Sequence, residues 1–419
     1  AIFNGIQNIL FVVMEQFDME YLSLTILGIF YISFGLSGLL TPQYSRTFSY
    51  RITFAIAIIP MFFYFLSFAY STGCQSKSNG CNKIIEILFL FVSAVLGGIG
   101  CSLLWMTQTI YLTDCSNPYN KTSIFHRFTS ITQWSQLVGN VFIGIVLYFS
   151  NGKILFELAL LIIFTCAILS LKLSNPEKVK LELEVGSELL TTPKSKSNNS
   201  SCSTPRSAPR VSNVTIPNMN YFSIRYLLQF LTNTKMRLFY PLFGISAFNV
   251  SLFIVYMAQN LHIVLQNEKY IEVILDIEFA FIFLGIGSIL AGKVFTPSYV
   301  EKDKKKALQM HYRIMTINTI LNLIAFTTKS YKVFLCCAFI YGFIEVTSNI
   351  ITSHLLSYKF MERFEPFTCY RVLFFFFLGC SIILNLILCY IASPLSLILM
   401  FVLCLFGCIT VSNFFTSRQ

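Results

Sequence analysis

Charge is what this 419-residue sequence has least of: Asp, Glu, Lys and Arg together make up 12% of it. An ordinary soluble domain devotes about a quarter of its residues to those four, so a water-exposed globular surface is excluded. Histidine occurs only four times, at positions 126, 262, 311 and 354, too far apart for a Cys/His zinc spacing. The chain also has no Gly-x-x-x-x-Gly-Lys-Ser/Thr loop, no His-Glu-x-x-His helix and no Gly-x-Ser-x-Gly elbow. Nothing therefore marks a catalytic residue, a metal site or a cofactor site. The cluster Gly285, Gly287 and Gly292 falls inside an apolar run, where small residues let helices approach closely.

What fills the sequence is apolar: 55% hydrophobic residues, 44 of them phenylalanine. Crossing a hydrocarbon core of about 30 Å takes roughly 20 apolar residues in a helix. Runs of that kind lie near 1–14, 21–42, 52–72, 84–113, 130–150, 154–171, 238–264, 271–292, 314–330, 331–358, 370–391 and 395–414. The expected molecule is an all-α polytopic membrane protein surrounded by lipid. The first run is too short to span, and we expect it to be a helix truncated at its start.

Basic residues favour the cytoplasmic side of a membrane. Of the 30 Lys and Arg, Lys77, Lys83, Lys153, Lys269, Lys329 and Lys332 follow odd-numbered runs, and the other 24 follow even-numbered ones. The net charge of +11 is thus a topology signal and not a nucleic-acid footprint. Both termini are expected on the cytosolic side, or the matrix side of a mitochondrial membrane.

Residues 174–236 divide the runs into six and six. Their middle, TTPKSKSNNSSCSTPRSAPR, is polar, basic and without apolar period, which predicts a flexible linker. The chain therefore divides into a six-helix bundle at 1–173, the linker at 174–236, and a second bundle at 237–419. SGLLTPQYS after the second run and AGKVFTPSYV after the eighth share Gly, Thr-Pro and Tyr at equivalent places, as a duplicated architecture requires. Cys74 and Cys81 lie close together in a non-cytosolic loop; they form a disulfide if that side is oxidising and remain two thiols otherwise.

Polar residues interrupt the apolar runs on helical faces. Asn4, Gln7 and Asn8 share one face of the first run, and Trp105, Gln108 and Thr109 share one on the fourth. Gln133, Gln136 and Asn140 stripe the fifth, Asn249, Tyr256 and Asn260 the seventh, and Glu345 and Asn349 the tenth. Uncharged polar groups in hydrocarbon need partners, and ionisable ones turn toward protein or a water-filled cavity. Runs 1, 4, 7 and 10 begin the three-helix units of a six-plus-six architecture, so these stripes are expected to line a central cavity. Glu345, with Glu278 as second choice, is the acid placed to couple protons or ions.

These residues resemble a known family. Gly98-x-Gly100 … Leu104-Trp105-x-x-Gln108-x-x-Tyr111-Leu112-Thr113 is similar to the fourth helix of the uncoordinated-ninety-three-like proteins, a branch of the major facilitator superfamily. Gln133 through Gly139-Asn140, Gly5-x-Gln7, Leu27-Gly28-x-x-Tyr31 with Pro42, and Gly342-Phe343-Ile344-Glu345 with Asn349 add to the resemblance. It implies a twelve-helix facilitator fold of two pseudo-symmetric six-helix bundles. It also implies an accessory subunit that regulates another membrane protein, the partner then being a channel or receptor. The alternative expectation is an active secondary transporter, uniporting or proton-coupled, for a small solute. Two departures stand out: Glu345 replaces the family's usual Asp, and TPQYSRTFSYR lacks the Gly and Asp of the usual gating loop.

Overall fold

The computed structural model describes residues 2–15, 19–41, 43–44, 48–75, 82–116, 121–150, 152–173, 176, 224–257, 270–360, 365–392 and 394–416. Among them there is no strand, and twelve long helices follow one another. These are α1 (Ile2–Glu15), α2 (Glu20–Ser37), α3 (Tyr50–Gln75), α4 (Lys83–Asp114), α5 (Lys121–Phe149) and α6 (Gly152–Ser170). After the linker come α7 (Tyr240–Leu252, continued by a π-helical turn Phe253–Met257), α8 (Tyr270–Val294), α9 (Lys304–Thr328), α10 (Tyr331–Phe360), α11 (Glu365–Ala392) and α12 (Pro394–Thr416).

The helices match the apolar runs in number and order but begin earlier in places. α5 starts at Lys121, not near 130, and α9 at Lys304, not near 314. Their opening turns, KTSIFHRFTS and KKKALQMHYR, are helical in hydrogen bonding yet too polar to register as apolar. The Asp303 side chain caps α9 by accepting from Lys306 N at 2.9 Å. Among the described residues, eight helices are long and apolar enough to cross a membrane by themselves: α2, α3, α4, α6, α7, α8, α10 and α11. Of the others, α1 is short and α5 and α9 carry polar turns, whereas α12 is apolar over Pro394–Gly407. Most of the linker lies outside the described residues, but its end differs from the expectation: Ile224–Thr232 and Thr234–Arg237 are helical. Their apolar residues pack down, Phe230 against Phe360 with ring centroids 5.2 Å apart.

Arg51, at the start of α3, donates from Nε to the Leu173 carbonyl beyond α6 at 2.5 Å. Tyr50 donates to Asp114 at the end of α4. These helix ends therefore share one side of the molecule, here termed the linker side. α9 ends on the opposite side in Lys329, whose left-handed backbone (φ 49°) makes the tight turn into α10.

The packing repeats with a shift of six helices. α3–α4, α2–α4, α3–α6 and α1–α5 in the first half correspond to α9–α10, α8–α10, α9–α12 and α7–α11 in the second. A shared device fixes two of these pairs. A Cβ on Gly98 of α4 would strike the Phe30 carbonyl of α2, and one on Gly342 of α10 would strike the Leu284 carbonyl of α8. In both places only glycine lets the backbones touch. Two seams join the halves, α2–α11 and α5–α8, and they too are related by the shift.

Candidate functional site

Glu345 projects from α10 toward the junction of the halves. Its position is set by Gly342, one turn earlier, which seats α10 against α8; Ser288 of α8 donates to the Gly342 carbonyl at 3.1 Å. Gln136 of α5, in the other half, lies within hydrogen-bonding reach of the Glu345 carboxyl. The phenols of Tyr31 (α2), Tyr341 (α10) and Tyr370 (α11) sit within its electrostatic reach. Tyr31 donates to Gln7 Oε1 of α1. Tyr370 donates to Asn349 Oδ1 at 2.8 Å, and Asn349 Nδ2 donates to the Glu345 carbonyl at 3.1 Å. One carboxyl thus has an amide of α5 and phenols of α2, α10 and α11 within reach, with Gln7 of α1 and Asn349 of α10 tied to those phenols.

A second contact crosses between the halves nearby. The Arg371 guanidinium of α11 stands 5.7 Å from the Trp105 ring centroid of α4 and 5.5 Å from that of Tyr370. Arg371 has no carboxylate partner among the described residues. The Trp105 indole in turn lies beside Cys101, one turn back on the same helix. Arg371 thus faces an aromatic ring and forms no ion pair with Glu345.

Other expected site residues take different places. Gln133 and Asn140 are buried in the α5–α8 seam and do not line an open cavity. A Cβ on Gly292 of α8 would lie 2.9 Å from Gln133 Oε1, and Asn140 Nδ2 donates to the Phe281 carbonyl of α8 at 3.2 Å. The reason is that α8 offers Gly292 and the Phe281 carbonyl along that stripe. Thr109 spends its hydroxyl on the Trp105 carbonyl of its own helix at 3.0 Å. Gln108 is half-buried on α4 beside this group. Asn249 is buried on α7, whose Ser246 pairs with Ser348 of α10 at 2.7 Å and whose Ser251 accepts from Asn385 of α11 at 2.6 Å. Asn260 and Cys81 lie outside the described residues, as do the side chains of Asn4, Asn8 and Tyr256. Cys74 is disulfide-bonded. Among the described residues, no group of His, Cys, Asp and Glu could hold a metal ion.

Sequence reasoning did not name the three tyrosines as site residues. A tyrosine in an apolar run reads as packing, and its phenol becomes informative only when a carboxyl is found beside it. Tyr31 did carry a signal, as the one phenol in the apolar stretch LGIFYISFG.

A two-half helical fold with a polar centre is a transporter architecture, and the comparisons bear on it directly. Residues 2–364 match the family model of the Major Facilitator Superfamily. This chain belongs to that superfamily. Among solved structures, a partially occluded, inward-open xylose transporter XylE from E. coli is similar over 100% of this chain and 95% of its own, at 12% identity and a TM-score of 0.63. A D-xylose–proton symporter is similar over 99% of this chain and 92% of its own, at 13% identity and a TM-score of 0.62. At such identities the likeness speaks for the fold alone. No curated protein matches the sequence. The expected twelve-helix facilitator fold is the observed one, and the chain is a multi-pass membrane protein and not an enzyme.

Proposed function

We propose that this facilitator is an active secondary transporter for a small polar solute, moved by rocking the two halves about a site centred on Glu345. One observation carries the reading: an intramembrane carboxyl that reaches across to Gln136 of the other half, within a ring of phenols and amides. A scaffold that merely binds a partner gains nothing from such a group, because an intramembrane ionisable residue is costly and is kept for function. The ring offers hydrogen-bond donors and acceptors from both halves, so a hydroxylated or amide-bearing solute would bridge them. Glu345 also takes a place in proton coupling on this reading. The two solved relatives are described as a xylose transporter and a D-xylose–proton symporter, which favours a carrier over the accessory subunit suggested by the uncoordinated-ninety-three-like resemblance. The basic bias supports a linker side, with both termini, in the cytosol or matrix.

The test is uptake by purified protein in lipid vesicles, with D-xylose as the first probe in a panel of polar solutes and a proton gradient imposed. Saturable uptake by the wild type, lost in Glu345→Gln and reduced in Gln136→Leu, is the expected result. No uptake of any solute, together with a stoichiometric membrane protein retained through gentle detergent extraction, would restore the accessory reading.

A further inference from the structure

The α5–α8 seam runs antiparallel in a clear register. Gln133 meets Gly292, Leu137 meets Gly285, Asn140 meets the Phe281 carbonyl, and Gly144 meets Glu278, whose Cβ lies 3.6 Å from where a Gly144 Cβ would stand. Glu278 is 2% exposed, and neither of its carboxyl oxygens has a hydrogen-bond partner. One turn away, Asn140 is fully buried and its Oδ1 is also without a partner, its Nδ2 being engaged by Phe281. Among the described residues, the seam and its border with Gly5 of α1 therefore hold three buried acceptor atoms and no donor for any of them.

Among the described residues no charged group relieves this. On α5 the titratable side chain beyond Gly144 is the exposed Tyr148, and on α1 it is Glu15 at the helix end. On α10, Tyr341 is separated from Phe281 by the Phe253 ring, stacked on it at 3.9 Å, with Glu345 a turn further on. Tyr331, also of α10, donates to the Asp276 carbonyl of α8 at 2.7 Å. On α8 itself, Asp276 is half-buried and Glu272 exposed. An ionised carboxylate buried without partners is not tolerated, whereas a neutral acid supplies one O–H.

We propose that Glu278 is a proton-binding site of this protein, occupied whenever the α5–α8 seam is closed. The proton comes from bulk water when the seam is parted and forms the acid O–H; no other bond is made or broken. Under the transporter reading, on which only this last consequence rests, the closed seam requires Glu278 to be protonated, and parting it lets the proton leave to the exposed side. The halves are then coupled to protons at a place separate from the Glu345 centre.

Infrared spectroscopy of the full chain in lipid vesicles tests the site without any solute, so its failure is distinguishable from a failure of uptake. The readout is the C=O stretch of a protonated carboxylic acid, followed from acid to alkaline buffer in potassium and in sodium salts. The wild type and Glu345→Gln should keep one such band into alkaline buffer, and Glu278→Gln should lack it. If Glu278→Gln does not fold, Glu278→Asp should keep the band at a displaced frequency. A wild-type spectrum without the band, a band unaltered by either change at 278, or a band abolished by sodium but not potassium would overturn the proposal.

Discussion

The two seams that join the halves occupy equivalent places in the repeat and are built from opposite materials. In α2–α11 the contact is backbone on backbone. A Cβ on Gly379 would lie 2.6 Å from both the Gly28 carbonyl and Ile32 N, and one on Gly35 would lie 2.5 Å from Phe376 N. Phe375 seals it, stacked on Phe34 at 3.8 Å and on Tyr31 at 5.8 Å. In α5–α8 the glycines face side chains, and Gln133, Asn140 and Glu278 are buried between the helices. Apolar close packing gains most when the surfaces stay together, since dispersion falls off within an ångström of separation. A seam holding unsatisfied acceptors is cheaper to open, because water entering it satisfies them. In the proposed transport cycle, α2–α11 is the stiffer hinge and α5–α8 the seam that yields.

The largest effect should come from removing the aromatic seal. Phe375→Ala leaves a cavity between Phe34 and Tyr31 and should cost about 3–5 kcal/mol, read as a loss of thermal stability in detergent. Gly379→Ala should follow at about 1–3 kcal/mol, because the added methyl meets backbone that cannot yield; an unchanged melting temperature would remove the backbone contact from the account. The yielding seam should respond with the opposite sign. Glu278→Met, which exchanges an unsatisfied acid for an apolar side chain of similar length, should raise stability by about 1–3 kcal/mol. Smallest of all should be Gly144→Ala. Its Cβ would find ordinary contact at 3.6 Å from Glu278, and the change should be neutral or stabilising by less than about 1 kcal/mol. Equal losses from Gly379→Ala and Gly144→Ala would erase the difference between the seams.

How much of this was legible beforehand follows from what periodicity encodes. Apolar runs gave all twelve helices, and polar spacing gave the stripes at Gln133, Gln136 and Asn140. Spacing places residues on one face of a helix but does not say which neighbour that face meets. The stripe on α5 proved to divide: Gln136 turns to Glu345, whereas Gln133 and Asn140 turn to α8. Glu345 and Glu278 were legible as intramembrane acids, since charge in an apolar run stands out. Their different surroundings were only partly legible: Tyr341 stands one turn before Glu345 on the same helix, but Tyr31 and Tyr370 near it and the empty shell around Glu278 come from helices distant in sequence. Arg371 lies in the second turn of α11, and only packing brings its guanidinium over Trp105.

The central claim is that the halves rock and that α5–α8 parts at one end while closing at the other. Paired spin labels measure this most directly, in a background with the exposed native thiols replaced. One pair would occupy Arg127 and Lys293, exposed at the linker-side ends of α5 and α8, and the other Tyr148 and Glu272, exposed at their opposite ends. Distances should show two populations in vesicles, the linker-side distance lengthening as the opposite one shortens when pH is changed, with that response lost in Glu278→Gln. A single fixed distance for both pairs at every pH and with every solute in the panel would contradict the account.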